Sequence, residues 1–327
     1  MTGWYRYLIW FATALTLGVV VLGAYVRLND AGLGCPDWPG CYGELIPTSI
    51  DEAAANEAYP ERPVEVDKAW YEMVHRYFAS TLGFVIILVA WLAWRNRQIE
   101  HQPVKLPLIL LAVVIFQGLL GMWTVTLLLK PVIVMAHLLG GLTTLGILFW
   151  LLLEDARNKN VMRRIAWPAA VALLALVVQI ALGGWTSSNY AALACPDLPT
   201  CLGQWWPEQA DFAEGFVMWR GLGVDYEFGI LEAPARVAIH FVHRLGAVCA
   251  SLILLFVTIR YWMTDMRAAM RMACLAVWAT LVMQVSIGLS AVWFGLPLNV
   301  ATAHNAVAAL LLLATINLNN VASRIRA

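Results

Sequence analysis

LGAYVRLNDAGLGCPDWPGC (Leu22–Cys41) recurs without a gap as LGGWTSSNYAALACPDLPTC (Leu182–Cys201) in the second half of the chain. The surrounding sequence is strongly apolar: 61% of the 327 residues are hydrophobic, 13% are charged, and the mean hydropathy is +0.71. Soluble domains carry about 25% charged residues, so this composition is typical of an integral membrane protein. The net charge is zero, which gives no indication of a nucleic-acid partner.

Two further stretches repeat in the same order. EMVHRYFASTLG (Glu72–Gly83) corresponds to HFVHRLGAVCAS (His240–Ser251), and QGLLGMWTVTLLLKPVIVMAH (Gln117–His137) corresponds to QVSIGLSAVWFGLPLNVATAH (Gln284–His304). Repeats in one order at a nearly constant offset indicate an internal duplication. We therefore predict two domains, residues 1–157 and residues 158–327.

Eight apolar segments are long enough to cross a bilayer, which takes roughly 20 residues per helix. They are Tyr7–Val26, Trp70–Trp94, Leu106–Leu129, Val132–Leu153, Ile165–Thr186, Ala233–Tyr261, Ala268–Phe294 and Val300–Val321. Four spans per half place both halves in the membrane the same way up. The predicted fold is an all-α integral membrane protein whose eight transmembrane helices form two four-helix bundles, related as parallel repeats.

The basic residues predict the orientation. The two termini and the loops after the second, fourth and sixth spans hold 13 of the 21 lysines and arginines. Cytoplasmic loops are enriched in these residues. We therefore expect a multi-pass protein of the plasma (inner) membrane, with both termini in the cytoplasm and both cysteine loops on the outer, periplasmic face.

Each outer loop begins with the motif Cys-Pro-Asp-x-Pro-x-Cys, at Cys35–Cys41 and at Cys195–Cys201. Proline fixes φ and can bring the two Cα atoms within the ~5.5 Å that a disulfide needs, and an oxidising compartment would allow the bond. A structural disulfide is the main prediction for each pair, with a redox-active dithiol and unpaired thiols as alternatives. Neither loop contains a histidine, which disfavours zinc. Cys249 and Cys274 lie in apolar runs and are expected to be inert core residues.

Five of the six histidines fall inside predicted spans, where ionisable groups are rare and usually functional. Four of them lie about 6–15 Å below the outer ends of their helices: His75, His137, His243 and His304. Each half supplies one on its second helix and one on its fourth, the arrangement that ligates a heme iron from both sides. Hydrogen-bonded core histidines, a proton path and a copper site are the weaker alternatives. His101 is expected to be a solvated loop residue.

Residues beside the histidines suit the same group. Small residues let a flat macrocycle approach a helix, and four glycines lie near the histidines: Gly83, Gly140, Gly141 and Gly246. Arg76 and Arg244 each follow a histidine and are possible partners for heme propionates.

The two halves differ at one position that matters chemically. Glu72-x-x-His75 in the first half corresponds to His240-x-x-His243 in the second. The i,i+3 spacing puts both members on one helix face, so Glu72 should border the same site as His75. A buried carboxylate is costly unless it titrates, pairs or catalyses. We expect a chemical role for Glu72, and the alternative is an outward-facing carboxylate paired with Arg76.

Four motifs together make the chain resemble the heme A synthase family. They are EMVHR (Glu72–Arg76), MAHLLGG (Met135–Gly141), FVHRLGA (Phe241–Ala247) and TAHNAVAALLL (Thr302–Leu312), combined with cysteine pairs in the outer loops. The resemblance covers nearly the whole chain. It implies an oxidoreductase that converts the C8 methyl of heme O to the formyl group of heme A, which serves terminal cytochrome oxidases.

The resemblance also implies roles for residues. His243 and His304 would ligate a resident heme b, the cofactor, while His75 and His137 would face the substrate heme O. Glu72 matches the carboxylate implicated in catalysis. Heme O synthase and cytochrome oxidase assembly factors are the implied protein partners, beside the lipid bilayer.

Two other classes of function are compatible with parts of the pattern. A membrane cytochrome b with two bis-histidine hemes would act as an electron carrier, but four histidines at one depth do not form a path across the bilayer. A duplicated transporter would need broken helices and polar midplane sites, which the sequence lacks.

Overall fold

The computed structural model describes residues 3–100, 102–154 and 162–325. Within these ranges, eight helices have the length and composition needed to cross a membrane. They are α1 (Gly3–Leu28), α3 (Val66–Arg95), α4 (Lys105–Thr126), α5 (Pro131–Leu153), α6 (Trp167–Ser188), α8 (Ala233–Thr264), α9 (Ala268–Trp293) and α10 (Leu298–Ser323). Two short helices, α2 (Glu52–Ala58) and α7 (Phe212–Gly215), and a 3₁₀ turn (Pro47–Ser49) lie in the long loops. The predicted all-α fold with eight spans is confirmed.

The hydrocarbon interior of a bilayer offers no hydrogen-bond partner to the backbone, so each apolar run forms a helix, in which its N–H and C=O groups bond to each other. Helix α3 begins at Val66, before the predicted start at Trp70. Its 30 residues span about 45 Å at 1.5 Å per residue, longer than the roughly 30 Å of hydrocarbon. The first turn contains Asp67 and Lys68, so it was not included in a span predicted from apolar residues. This extra turn brings the helix up to the first cysteine loop.

The helices form two groups of four, α1–α3–α4–α5 and α6–α8–α9–α10. Between the groups, α1 packs on α10, α5 packs on α6, and α5 packs on α10. Exchanging each helix for its repeat equivalent leaves this set of contacts unchanged, which is consistent with parallel repeats about a two-fold axis. Arg27 donates to the carbonyl of Ser187 at 2.7 Å, and these two residues are repeat equivalents.

Each group has an apolar core away from the cysteine loops. In the first, Tyr5 and Ile9 of α1 pack with Ile86 and Val89 of α3. In the second, side chains of α8, α9 and α10 form a larger cluster that also takes in Leu142 and Leu145 of α5. The end of α5 far from the cysteine loops therefore belongs to both cores.

Both cysteine pairs form disulfides with a Cα–Cα distance of 4.7 Å. The loops repeat in detail, since each contains a cis proline and two successive residues at positive φ. In each loop an aspartate accepts hydrogen bonds from the two backbone N–H groups after the second cysteine: Asp37 from Tyr42 and Gly43, and Asp197 from Leu202 and Gly203.

Beyond the disulfides, the long loops of the two halves meet. Arg62 of the first forms ion pairs with Asp225 and Glu227 of the second. Lys130, between α4 and α5, lies over the ring of Trp219 at 3.6 Å and donates to the carbonyl of Gly221. The two loops thus form one connected cover on the cysteine-loop side.

On the opposite side, β1 (Met162–Arg163) pairs antiparallel with β2 (Arg324–Ile325) and ties the start of the second half to the end of the chain. His101 and some of the charged residues used to predict orientation lie outside the described residues: Asp155, Arg157, Lys159 and Arg326.

The two single cysteines differ from each other. Cys274 is buried, as expected, whereas Cys249 is exposed, so the prediction of a core position for Cys249 is wrong. In a membrane protein an apolar neighbourhood along the chain fits a lipid-facing position as well as it fits a core position.

Candidate functional site

The four candidate histidines lie at matching heights in the two halves. His75 is nine residues into α3 and His243 is ten residues into α8, while His137 and His304 are each six residues into their helices. All four are therefore near the cysteine-loop side.

A glycine from a neighbouring helix faces each imidazole. A Cβ built on Gly23 would lie 2.9 Å from Cε1 of His75, and one on Gly183 would lie 3.2 Å from Cε1 of His243. Gly121 and Gly288 do the same for the other two rings, at 3.3 Å and 2.9 Å. Since a real Cβ does not come as close as 2.9 Å to a ring carbon, glycine is what lets these rings pack against a helix.

The first pair of histidines has the spacing of axial ligands. The ring centroids of His75 and His137 are 6.5 Å apart. Two imidazoles on opposite sides of one metal ion would have centres about 6 Å apart, because a ligating nitrogen lies about 2 Å from the metal and the ring centre about 1 Å further. The first site therefore fits a metal held between the two rings.

The ring nitrogens of the histidines are also consistent with metal binding. Nδ1 atoms of three of the four rings, those of His75, His137 and His304, are buried without a hydrogen-bond partner among the described residues. Buried polar atoms normally have a partner. Over the described ranges, no three His, Cys, Asp or Glu side chains converge into a cluster that could hold a bare metal ion. Two-histidine sites of this kind suit a metal that brings its own equatorial ligands, as heme iron does.

Glutamine side chains contact three of the histidines. Nε2 of Gln117 donates to the carbonyl of His137 at 2.6 Å. Nε2 of Gln179 lies 3.0 Å from Nδ1 of His243 and donates to its carbonyl at 3.1 Å. Nε2 of Gln284 lies 3.1 Å from the other ring nitrogen, Nε2, of His304.

These amides explain two of the glycines noted in the sequence. A Cβ on Gly140 would lie 2.1 Å from Oε1 of Gln117, and one on Gly246 would lie 2.3 Å from Oε1 of Gln179. Both glycines make room for a glutamine, whereas we had expected them to make room for a macrocycle. Gly83 has only Val114 within reach, at 3.9 Å.

Glu72 is buried, with 5% of its surface exposed, and both of its carboxylate oxygens are bonded. Oε2 accepts from the backbone N–H of Cys35 at 2.9 Å, and Oε1 is paired with Arg76. The pairing with Arg76 was foreseen in the alternative interpretation, but the carboxylate points into the protein and reaches the disulfide.

His240 makes the same two contacts in the second half. Its Nδ1 accepts from the backbone N–H of Cys195 at 3.1 Å, and its Nε2 lies 3.3 Å from Nε of Arg244. An imidazole nitrogen thus accepts the N–H of the second disulfide loop as a carboxylate oxygen does in the first. A carboxylate is therefore not needed to anchor the loop, and in the first half it also forms an ion pair with Arg76.

The two arginines bind the cysteine loops. Arg76 donates to the carbonyl of Gly40 at 2.5 Å and to that of Asp37 at 3.1 Å. Arg244 donates to the carbonyls of Asp197 and Thr200, each at 2.8 Å. Both guanidinium groups therefore fasten a loop to the helix that carries a histidine, and contact with a heme propionate stays a prediction for them.

In the second cysteine loop, the aspartate that accepts backbone hydrogen bonds is held in its charged form. The Thr200 hydroxyl, together with the N–H groups of Gly203 and Leu202, lowers the pKa of Asp197 to about 2. Hydrogen bonds to the charged form of a carboxylate favour that form. The turn after Cys195 is consequently held by an ionised aspartate throughout the neutral range.

The glutamines and the four ring-facing glycines were missed by the sequence analysis. A signal was present, because the pattern Gln-x-x-x-Gly occurs in QGLLG (Gln117–Gly121), QIALG (Gln179–Gly183) and QVSIG (Gln284–Gly288). Each glutamine stands one helical turn before its glycine, so the two share a face. Three such faces beside three of the four histidines could have been recognised as contacts to them.

The chain is similar over nearly its whole length to proteins of one family. The family COX15-CtaA, described as cytochrome oxidase assembly protein, matches residues 6–316. The heme A synthase of Shewanella oneidensis is 43% identical over 311 residues, which is 93% of this chain and 92% of the relative. Those of Rhizorhabdus wittichii and Caulobacter vibrioides are 29% and 27% identical, over 92% and 93% of the chain and 88% and 92% of those proteins.

Proposed function

Because the chain belongs to the COX15-CtaA family of cytochrome oxidase assembly proteins, we propose that it is a heme A synthase, a multi-pass membrane oxidoreductase that converts heme O to heme A. The observation that supports this most directly is the first histidine pair, whose ring centroids lie 6.5 Å apart beneath a loop anchored by a buried carboxylate. A substrate that is itself a heme would be bound there through its iron.

We assign the two halves different tasks. His75 and His137 of the first half (residues 1–157) would bind heme O, and His243 and His304 of the second half (residues 158–327) would hold a resident heme b. When bound, the iron of the cofactor supplies the electron relay that no side chain can provide. The difference between Glu72 and His240 supports this division, since both anchor a loop but only Glu72 is a carboxylate.

The reaction itself takes place on the C8 methyl group of heme O. Two successive hydroxylations would give a geminal diol, which loses water to form the formyl group. With water as the source of oxygen, each hydroxylation breaks one C–H bond, forms one C–O bond and releases two electrons and two protons. The electrons would leave by way of the cofactor to an external electron acceptor, and Glu72 would accept a proton. The carboxylate is one helical turn from His75 and screened from solvent by the first disulfide loop, so it can hold a proton close to the substrate.

The remaining assignments follow the same logic. The basic loops favour cytoplasmic termini, with the disulfide loops on the outer face. Arg76 and Arg244 are candidates for propionate contacts at the edges of the two sites. Heme O synthase and cytochrome oxidase assembly factors are the protein partners we would test first for delivery and removal of heme.

Analysis of the bound hemes tests the proposed function. The protein is expressed together with a source of heme O and purified, and its pigments are extracted and separated into hemes B, O and A. We expect hemes A and B from the unchanged protein, and no heme A from Glu72→Gln. His240→Gln is the matched control and should still yield heme A. An unchanged protein that contains hemes B and O but never heme A would refute the proposal.

A further inference from the structure

Three of the four candidate iron ligands have a glutamine beside them, and His75 does not. On α4, α6 and α9 a glutamine precedes the ring-facing glycine by four residues. On α1 the corresponding stretch is VVVLG, and Val19 stands four residues before Gly23. Val19 packs in the apolar core of the first half and offers no hydrogen-bonding group to the ring.

The helix that carries His75 differs in the same sense. The third residue after His137 is Gly140 and the third after His243 is Gly246, and each glycine makes room for the amide oxygen of a glutamine. The third residue after His75 is Phe78, which is 48% exposed. A Cβ at this position would collide with a glutamine placed as Gln117 or Gln179 is placed. His75 thus lacks both the glutamine and the glycine that accompany His137 and His243; His304 has Val307 at the glycine position, and its glutamine contacts the ring nonetheless.

The two histidine pairs are therefore unequal. In the second half Nε2 of Gln179 donates to the carbonyl of His243 and lies beside Nδ1 of its ring, and Nε2 of Gln284 lies beside Nε2 of His304, so each histidine has an amide against it. In the first half Nδ1 of both rings is buried with no partner among the described residues, but Gln117 holds the backbone carbonyl of His137, whereas no glutamine contacts His75. Hydrogen-bonding partners of a metal-bound histidine orient its ring and strengthen the bond, and losing one typically costs 10–100-fold in metal affinity.

We propose that Gln117, Gln179 and Gln284 are positioning residues for the axial histidines, and that His75, which lacks such a residue, is the ligand that lets go when heme leaves the first half. The inference rests on the proposed function, in which one heme stays and the other enters as substrate and leaves as product. A site with one weakly held ligand exchanges its heme, while a site with two positioned ligands retains it.

The rate of heme loss measures this directly. The purified full-length protein, carrying its resident heme and loaded with heme O, is mixed with excess apomyoglobin, and heme transfer is followed by absorbance. We expect a fast phase from the first half and a slow phase from the second. The double variant Val19→Gln/Phe78→Gly recreates the arrangement around His243 and should slow the fast phase by about 10–100-fold. Phe78→Gly alone, which has the space without the amide, should not.

Removing a glutamine provides the converse test and does not depend on the double variant folding. Gln179→Leu should speed the slow phase by about the same factor and raise the high-spin fraction in the absorption spectrum, because the ring is no longer held. Gln179→Glu keeps the size of the side chain but its carboxylate has no N–H to donate to the carbonyl of His243, so it should lose heme about as fast as Gln179→Leu. A packing defect alone would appear in Gln179→Leu and not in Gln179→Glu.

The outcomes separate the two proposals. If folded Val19→Gln/Phe78→Gly and Gln179→Leu both lose heme at rates within twofold of the unchanged protein, the glutamines do not position the ligands and the inference is overturned. That result would leave the proposed function standing as long as heme A is still made. If the unchanged protein makes no heme A, the proposed function fails whatever the transfer rates are.

Discussion

Replacing Glu72 by alanine and by histidine should separate its structural role from its chemical role. Glu72→Ala removes the acceptor for the buried N–H of Cys35, while Arg76 keeps its bonds to the loop carbonyls. An unsatisfied buried donor costs about 1–3 kcal/mol. Since 1.4 kcal/mol is a factor of ten, local opening of the loop should rise roughly 5- to 140-fold. Glu72→His should restore the anchor, because His240 accepts the matching N–H of Cys195.

The rate at which the disulfides are reduced under native conditions measures this local opening of the loop. A water-soluble phosphine is added, and the rate of reduction of Cys35–Cys41 is measured by labelling the freed thiols and digesting the protein. In the same molecule Cys195–Cys201 is an internal control, which Glu72→Ala should leave unchanged. Faster reduction of Cys35–Cys41 in the alanine variant and a nearly normal rate in the histidine variant are expected. Equal rates in both variants would contradict a shared anchoring role.

Heme A formation in the same two variants decides the chemical role. Both should bind heme and neither should make heme A, because an imidazole with one nitrogen bonded to the loop does not replace the carboxylate as a proton acceptor. If Glu72→His makes heme A at the normal rate, Glu72 is an anchor only.

Two further predictions concern the packing of a ring and the charge in a loop. Gly23→Ala places a Cβ 2.9 Å from Cε1 of His75. Overpacking costs about 1–3 kcal/mol, so this variant should bind heme O about 5- to 140-fold more weakly. Gly18→Ala on the same helix meets nothing within 4 Å and should bind heme O normally, and an absorbance titration with heme O distinguishes the two variants. For the second loop, hydrogen bonds led by that from Thr200 lower the pKa of Asp197 to about 2, against about 3.9 for a free aspartate, so its support is complete above about pH 4 and is lost as the pH falls toward 2. Reduction of the disulfide in that loop should therefore speed up between pH 5 and pH 2.5, and Asp197→Asn should be equally fast at both values; a rate that does not depend on pH in the unchanged protein would contradict this.

The fold was largely predictable because two of its determinants act along the chain. The length of an apolar run follows from the thickness of the bilayer, and a duplication is visible as a repeat. The predictions of a helix start and of a buried cysteine were wrong because the surroundings of these residues are set by other parts of the chain. The first turn of α3 is polar yet helical, and its Lys68 backbone lies against Gly34 beside the first cysteine. Cys249 faces outward although its neighbours in sequence are apolar.

The site was predictable in its titratable residues and less so in their neighbours. Histidines inside a membrane are few, so the sequence singles them out, and the Glu72/His240 difference was visible by alignment of the halves. Their shared contact with a cysteine N–H was not visible, because it depends on how a loop folds back over a helix. Gln117 lies within a repeated stretch, but which histidine it contacts depends on the packing of α4 against α5.

The contact between Arg27 and Ser187 has an implication for the origin of the chain. Equivalent positions that touch each other must lie beside the axis relating the halves, so the same surface patch of each half forms the interface. Self-complementary patches of this type are what hold symmetric homodimers together. A four-helix protein with such a patch would pair with an identical copy of itself, and joining the two copies in one gene would free each half to change in sequence independently.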